Sequence, residues 1–261
     1  MQGISMITEL YNYREMIFSL VRRYLKGRYK GSFLGFFWTF LNPLLQLAVY
    51  TMVFSVILRN GREDYYLFLF VALVPWIFCS SCASSGVSCI WQQQDMVKKI
   101  YFPREVLPLS FVISNFVNMV LSLLVVLAVL VVSGKGLNLQ ALLYLPLIMA
   151  VEFLLCLGIT LILSGLDIYF RDLEYLMGIF TMAWQFLTPI MYGIDQVPEQ
   201  YLPIFYLNPM TSVINAYRDI LYFKQPPELQ TLWSAVAAGV LLCVLGFYVF
   251  GRLKRRFAEA M

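Results

Sequence analysis

Apolar residues run through this chain in long, nearly charge-free blocks separated by short polar stretches. Six such blocks lie at approximately 33–58, 65–91, 107–132, 140–165, 174–192 and 229–251, each near the twenty or so residues that a helix needs to cross the hydrocarbon core of a bilayer. Ahead of them the pattern changes. In residues 7–30, Leu10, Ile17, Phe18, Val21, Tyr24 and Leu25 recur at helical spacing while Arg14, Arg22, Arg23 and Lys26 take other positions on the wheel. That is the pattern of an amphipathic helix lying in the membrane interface, its basic side toward anionic headgroups. The two regimes meet in residues 28–45, where charge stops after Lys30 and does not return until Arg59. Glycines at 31 and 35 predict a bend there. The expected fold is an all-α membrane protein: an interface helix, six transmembrane helices, and short re-entrant helices before the last span.

Composition strengthens this reading. Of the 261 residues, 61% are hydrophobic and 13% charged, with a mean hydropathy of +0.74, against roughly 25% charged residues in an ordinary soluble domain. One transmembrane domain over 1–261 accounts for everything: 7–30 at the interface, spans one to five within 33–192, an external segment 193–228, span six at 229–251 and a basic tail at 252–261. No cleavable secretory signal is expected, because the first thirty residues hold several charges and no long apolar core. With the N-terminus inside, fourteen Lys and Arg fall on the cytoplasmic side and five outside (Arg59, Arg62, Lys135, Arg218 and Lys224). That excess predicts cytoplasmic termini.

Several stretches carry candidate chemistry. Glu152 is the one acidic residue well inside a span; it either serves packing or faces a transport path. Residues 79–88 (CSSCASSGVS) are almost all small, which suits a tight helix contact or a polar wall. The cysteines, including the lone C-x-x-C at Cys79 and Cys82, are read as packing residues. The loop 92–106 sets Asp95, Lys98, Lys99 and Arg104 around Met96, Ile100, Tyr101 and Phe102, so it either dips into the interface or docks into a cytoplasmic partner. The proline-interrupted segment 193–228 reads as helices re-entering from outside, or as a folded external cap. Phe37, Trp38 and Phe40 are candidates to line a path for sugars, since ring faces pack on pyranose C–H faces.

What is missing matters equally. There is no histidine, no paired-carboxylate motif and no G-x-x-x-x-G-K-[ST], so imidazole chemistry and a phosphate-cradling nucleotide loop are excluded. A conduit is favoured over a catalyst.

At this point the residues resemble a family. RYKGSFLGFFWTFLNPLL at 28–45, VPWIF at 74–78, KIYFPREV at 99–106, DIYFRDLE at 167–174, TPIMY at 188–192, LNPM at 207–210 and Tyr217-Arg218 are similar, in order and from end to end, to the membrane subunits of ABC exporters of lipid-linked polysaccharides. These include O-antigen, capsule and teichoic acid permeases, and the first stretch is most similar to the teichoic acid group. The resemblance implies a homodimer in a bacterial cytoplasmic membrane, flanked by two copies of a separate ATPase that binds ATP and Mg. No cofactor in this chain and no nucleic acid is implied. It makes 92–106 the coupling helix (Asp95, Lys98, Lys99, Tyr101, Phe102, Arg104) and 193–228 an outer gate. Arg22, Arg23, Lys26, Arg28 and Lys30 become candidates for attracting the substrate's anionic head. Two readings from other classes stand beside it: an ion-coupled secondary transporter using Glu152, and a membrane transferase using Asp167 and Asp172.

Overall fold

The computed structural model describes residues 8–57, 62, 64–254 and 257, and among these the chain is helical, without strands. Arg59, Arg255 and Arg256, counted above, lie outside the described residues, as does the first residue of the 7–30 segment. The α-helices are α1 (Arg14–Tyr29), α2 (Trp38–Thr51), α3 (Tyr65–Ser84), α4 (Gln94–Lys99), α5 (Val106–Val132), α6 (Leu139–Leu142), α7 (Leu145–Asp167), α8 (Leu173–Phe186), α9 (Leu202–Leu207), α10 (Pro209–Leu221) and α11 (Leu229–Leu253).

Among the described residues, four helical stretches are long and apolar enough to cross a membrane: Tyr65–Ser84, Val106–Val132, Leu139–Asp167 and Thr231–Leu253. The other two expected crossings take broken forms. The first begins as a 3-10 turn (Gly35–Phe37), becomes α2 and ends as a π-helix (Met52–Ile57). Pro43 lies inside it, and proline removes a ladder hydrogen bond. The fifth, α8, stops after 14 residues at Phe186, a length of about 21 Å against a hydrocarbon core of about 30 Å. Pro189 follows closely and disfavours helical backbone at the residue before it.

Helix α1, expected to lie at the interface, packs on protein as well as pointing outward. Leu20 and Val21 of α1 are buried, and Tyr24 sits edge-on to Phe111 of α5 at 5.6 Å. Arg22, Arg23 and Lys26 are exposed, as expected for the basic side. The bend that follows is real: Gly31 and Gly35 have φ of +83° and +49°, values at which a Cβ is strained.

At the centre stands α3, with fifteen of its 20 residues buried, the burial expected of a helix that is apolar all round. Its small run serves both predicted purposes on different faces. Cys79, Cys82 and Ala83 are buried, and Thr160 Oγ1 of α7 donates to the Cys82 carbonyl at 3.2 Å. Ser80, Ser81 and Ser84 turn instead toward a cavity. All five cysteines are free thiols, four of them buried, in keeping with the packing reading.

Helices α7 and α11 form the tightest seam. A Cβ at Gly158 would lie 2.3 Å from the Leu242 carbonyl carbon, and one at Gly246 would lie 2.7 Å from the Gly158 oxygen. The two backbones therefore touch along a small-residue stripe, the way helices approach when apolar lipid gives no drive to bury larger side chains. Beside this pair, α10 has ten of its 13 residues buried and packs among α3, α7 and α11. It is an interior element of the helical bundle.

Candidate functional site

Along α2 the side chains of Trp38, Asn42, Gln46 and Tyr50 recur every fourth residue and so share one stripe. Two adjoining cavities, of about 560 Å³ and 480 Å³, are lined by this stripe and have Asn42, Ile77 and Ser81 in common. In the first, Arg28, Ser32, Asn115, Asn118 and Ser122 complete a polar wall; in the second, Ser80, Ser84, Thr181 and Gln185 do so. The row from Trp38 to Tyr50 alone extends about 18 Å along the helix.

The groups are held by local bonds. Asn115 donates to its own helix at the Phe111 carbonyl (2.9 Å), which leaves its Oδ1 to accept from Arg28 Nη2 at 2.7 Å. Trp38 Nε1 donates to Ser32 Oγ at 2.9 Å across the glycine bend. Gln185 Nε2 donates to Tyr50 Oη at 3.0 Å, joining α8 to α2. Ser80, Ser84 and Thr181 hydroxyls donate back to carbonyls of their own helices, a pattern that helices in apolar surroundings tolerate. Their oxygens keep acceptor capacity. Asn118 Oδ1 is buried with no hydrogen-bond partner among the described residues. The surface thus offers carboxamides, hydroxyls, one guanidinium and an indole, without a charge pair, metal cluster or nucleophile. Such a lining can exchange hydrogen bonds with a polyhydroxylated molecule and release it again.

The sequence-predicted residues divide accordingly. All five basic candidates are exposed, along α1 and just after it; of them Arg28 alone lines this cavity, and Arg22, Arg23, Lys26 and Lys30 do not. Of the aromatic ones, Trp38 lines it; Phe37 is 72% exposed and Phe40 half-buried, neither of them on the lining. The residues that reasoning missed are the amides. Their four-residue spacing within an otherwise apolar block was the available signal. Glu152 is fully buried, accepts from Tyr217 Oη at 2.7 Å, and lines neither cavity, so its surroundings are those of a packing residue. Asp167 is buried at the turn between α7 and α8 and Asp172 exposed there; neither lines the cavity.

Two flanks complete the arrangement. On the loop side, Lys98, Lys99, Tyr101, Phe102 and Arg104 come together around a surface hollow of about 570 Å³ shared with Glu9, Lys254 and Phe257, while Asp95 is exposed in the first turn of α4. Tyr101 is 91% exposed and Ile100 57%, but Phe102 is only 6% exposed, so the two neighbouring rings point to different surroundings. On the opposite flank, Arg218 is buried and donates to the Ile190 and Tyr192 carbonyls at 2.6 and 3.2 Å. Its guanidinium lies 3.6 Å from the Phe68 ring centre, while Arg62, paired with Asp195 at 2.9 Å, lies 4.2 Å from the same ring. Burial pushes the neighbouring Asp219 carboxyl above its ordinary range. Charge counting had only placed Arg218 among the external cations.

A helical membrane domain with an open polar cavity along α2 and an apolar-tipped loop at one end fits a transport subunit. Residues 15–222 match the ABC-2 type transporter family, and the chain belongs to it. It is 35% identical over 260 residues, 99% of this chain and 100% of the relative, to the O-antigen export system permease protein RfbA of Myxococcus xanthus. It is 32% identical to a protein of the same name from Klebsiella pneumoniae, over 95% of each chain. The polysialic acid transport protein KpsM of Escherichia coli is 24% identical, over 77% of this chain and 79% of its own.

Proposed function

We infer that this chain is the membrane permease subunit of an ABC exporter that moves a polysaccharide outward. The observation that carries this, beside the relatives, is the run of carboxamides and hydroxyls from Arg28 to Gln185 in a domain that is otherwise apolar. Because the relatives are O-antigen and polysialic acid permeases, an O-antigen-type lipid-linked glycan is the proposed cargo, in preference to teichoic acid. The substrate's sugars would pass along the α2 stripe, and Arg28, held by Asn115, would meet the anionic head.

The rest of the assembly follows as part of the same proposal. Two copies of this chain face each other in the bacterial cytoplasmic membrane, since α2, the π-helix that follows it and α8 leave much apolar surface outward, including Val49, Met52, Ile179 and Met182. The broken run 35–57 and the short α8, extended by the turns after Phe186, supply the two further crossings, giving six and placing both termini in the cytoplasm. ATP and Mg are bound by a separate ATPase subunit, two copies per complex, seated on the 92–106 loop. The test is reconstitution with a cognate ATPase in proteoliposomes and measurement of labelled lipid-linked O-polysaccharide crossing the bilayer. Transport should need Mg-ATP; robust transport by this chain alone without ATP would overturn the reading.

A further inference from the structure

We propose that α11 is the element that carries motion of the 92–106 loop to the opposite side of the membrane, with Arg104, Glu105 and Lys254 as positioning residues at its cytoplasmic end. The proposal rests on the exporter reading above.

The last carbonyls of a helix have no partner within it. In α11 they are taken by the two cytoplasmic loops: Arg104 Nη1 donates to the Lys254 carbonyl at 2.6 Å, and Tyr169 Oη donates to the Leu253 carbonyl at 3.0 Å. Lys254 Nζ in turn pairs with the Glu105 carboxylate at 2.5 Å, where Glu105 is 2% exposed. A charge pair with one buried member holds its geometry more firmly than one between two solvated side chains, because separation leaves an unpaired buried charge. Phe257, buried between Phe250 and Tyr169 with Arg104 over its ring, fills the remaining space. The coupling loop cannot shift without shifting the end of α11.

From there the path is rigid. Backbone contact at Gly158, Gly239 and Gly246 fixes α11 to α7, so neither helix can slide alone. At the far end, Ser212 of α10 shares a hydrogen bond with Ser234 of α11 at 2.9 Å, and α10 carries Arg218, which grips the turn after α8 through the Ile190 and Tyr192 carbonyls. One stiff body therefore runs from the ATPase-facing loop to the external segment. Helices α1 and α2 and the polar stripe pack elsewhere, against α3 and α5, and do not share that seam.

The experiment uses the whole complex, permease with cognate ATPase, in proteoliposomes with labelled lipid-linked O-polysaccharide. Lys254→Glu should leave ATP hydrolysis near the wild-type rate while lowering glycan moved per ATP by about fivefold or more, the lower end of a usual coupling between sites. Glu105→Lys with Lys254→Glu, which restores an ion pair, should recover it. Hydrogen exchange of residues 209–221 should respond to Mg-ATP in the wild type and the exchanged pair, and lose that response in Lys254→Glu. Unchanged export per ATP in Lys254→Glu, an unchanged exchange response in it, or failure of the exchanged pair to recover would each overturn the proposal. Should Lys254→Glu not fold, Arg104→Lys, which keeps a donor for the carbonyl, must outperform Arg104→Ala in glycan per ATP; equal values would overturn it too. Wild-type complex that exports nothing with Mg-ATP would instead overturn the exporter reading.

Discussion

Tyr217 of α10 donates its hydroxyl to Glu152 Oε2 of α7 at 2.7 Å in a fully buried setting, and Glu152 Oε1 has no partner among the described residues. The pair ties α10 to α7, one of the helices long and apolar enough to cross a membrane. Replacing Tyr217 by Phe strips the carboxyl of its donor and should destabilise the subunit by about 1–3 kcal/mol, the cost of a buried polar group left unsatisfied. Glu152→Gln keeps an acceptor for the phenol and should cost less, while ATP-driven export persists. Thermal unfolding in detergent, run beside the export assay, checks both; loss of export in a well-folded Glu152→Gln subunit would revive the ion-coupled alternative.

The seam between α7 and α11 should respond to a single methyl group. At Gly158 a Cβ meets backbone atoms of Leu242 and Cys243, which cannot rotate away, so Gly158→Ala should cost about 1–3 kcal/mol as overpacking. Gly178 in α8 has nothing within 4 Å of its Cβ position. Gly178→Ala should therefore be neutral or stabilising, by up to about 1 kcal/mol of helix propensity. The contrast between two Gly-to-Ala changes, read as melting shifts, separates crowding from backbone entropy.

Gln46 and Gln185 face the polar cavity from α2 and α8. Changing both to Leu keeps size and removes hydrogen-bonding groups. If sugars pass there, each lost contact is worth about 0.5–1.5 kcal/mol, so the loss of both should lower glycan export by about fivefold to 150-fold, since 1.4 kcal/mol is a factor of ten. Complex assembly, measured by co-purification of the ATPase, should not change. Undiminished export would remove this cavity from the path.

Tyr101 and Phe102 are adjacent in sequence and opposite in environment, 91% and 6% exposed. Tyr101→Ala should weaken capture of the ATPase in a pull-down without altering subunit stability. Phe102→Ala should instead lower the melting temperature, since truncating a buried Phe costs about 3–5 kcal/mol. Equal ATPase capture by Tyr101→Ala and wild type would mean that this ring meets only lipid or water.

Much of the architecture was legible because its causes are local. Charge-free blocks of spanning length, the alternating face of 7–30 and the glycines at 31 and 35 all act within a few turns, and the structure has the corresponding helices and bend. The early end of α8 before Pro189 was written there too, but hydropathy alone passes over it, since proline does not make a block less apolar. The site was less legible. Aromatic chemistry singled out Phe37 and Phe40, yet which side of α2 faces inward depends on where α3, α5 and α8 stand. Only the polar stripe Trp38, Asn42, Gln46 and Tyr50 marks that side in advance. Arg218 was hidden for a related reason: its partners are carbonyls of Ile190 and Tyr192, and no side-chain pattern announces a backbone acceptor.

The seam of glycines between α7 and α11 also constrains how such proteins can be recombined. Where two helices meet through side chains, a bulkier residue on one can be met by a smaller one on the other, and halves from different relatives can be mixed. Here the opposing surface is backbone at both Gly158 and Gly246, which offers nothing to trim. In chimeras built to exchange glycan preference, residues 145–167 and 229–253 must therefore travel together from one parent, while α2 and its polar stripe remain free to be exchanged alone.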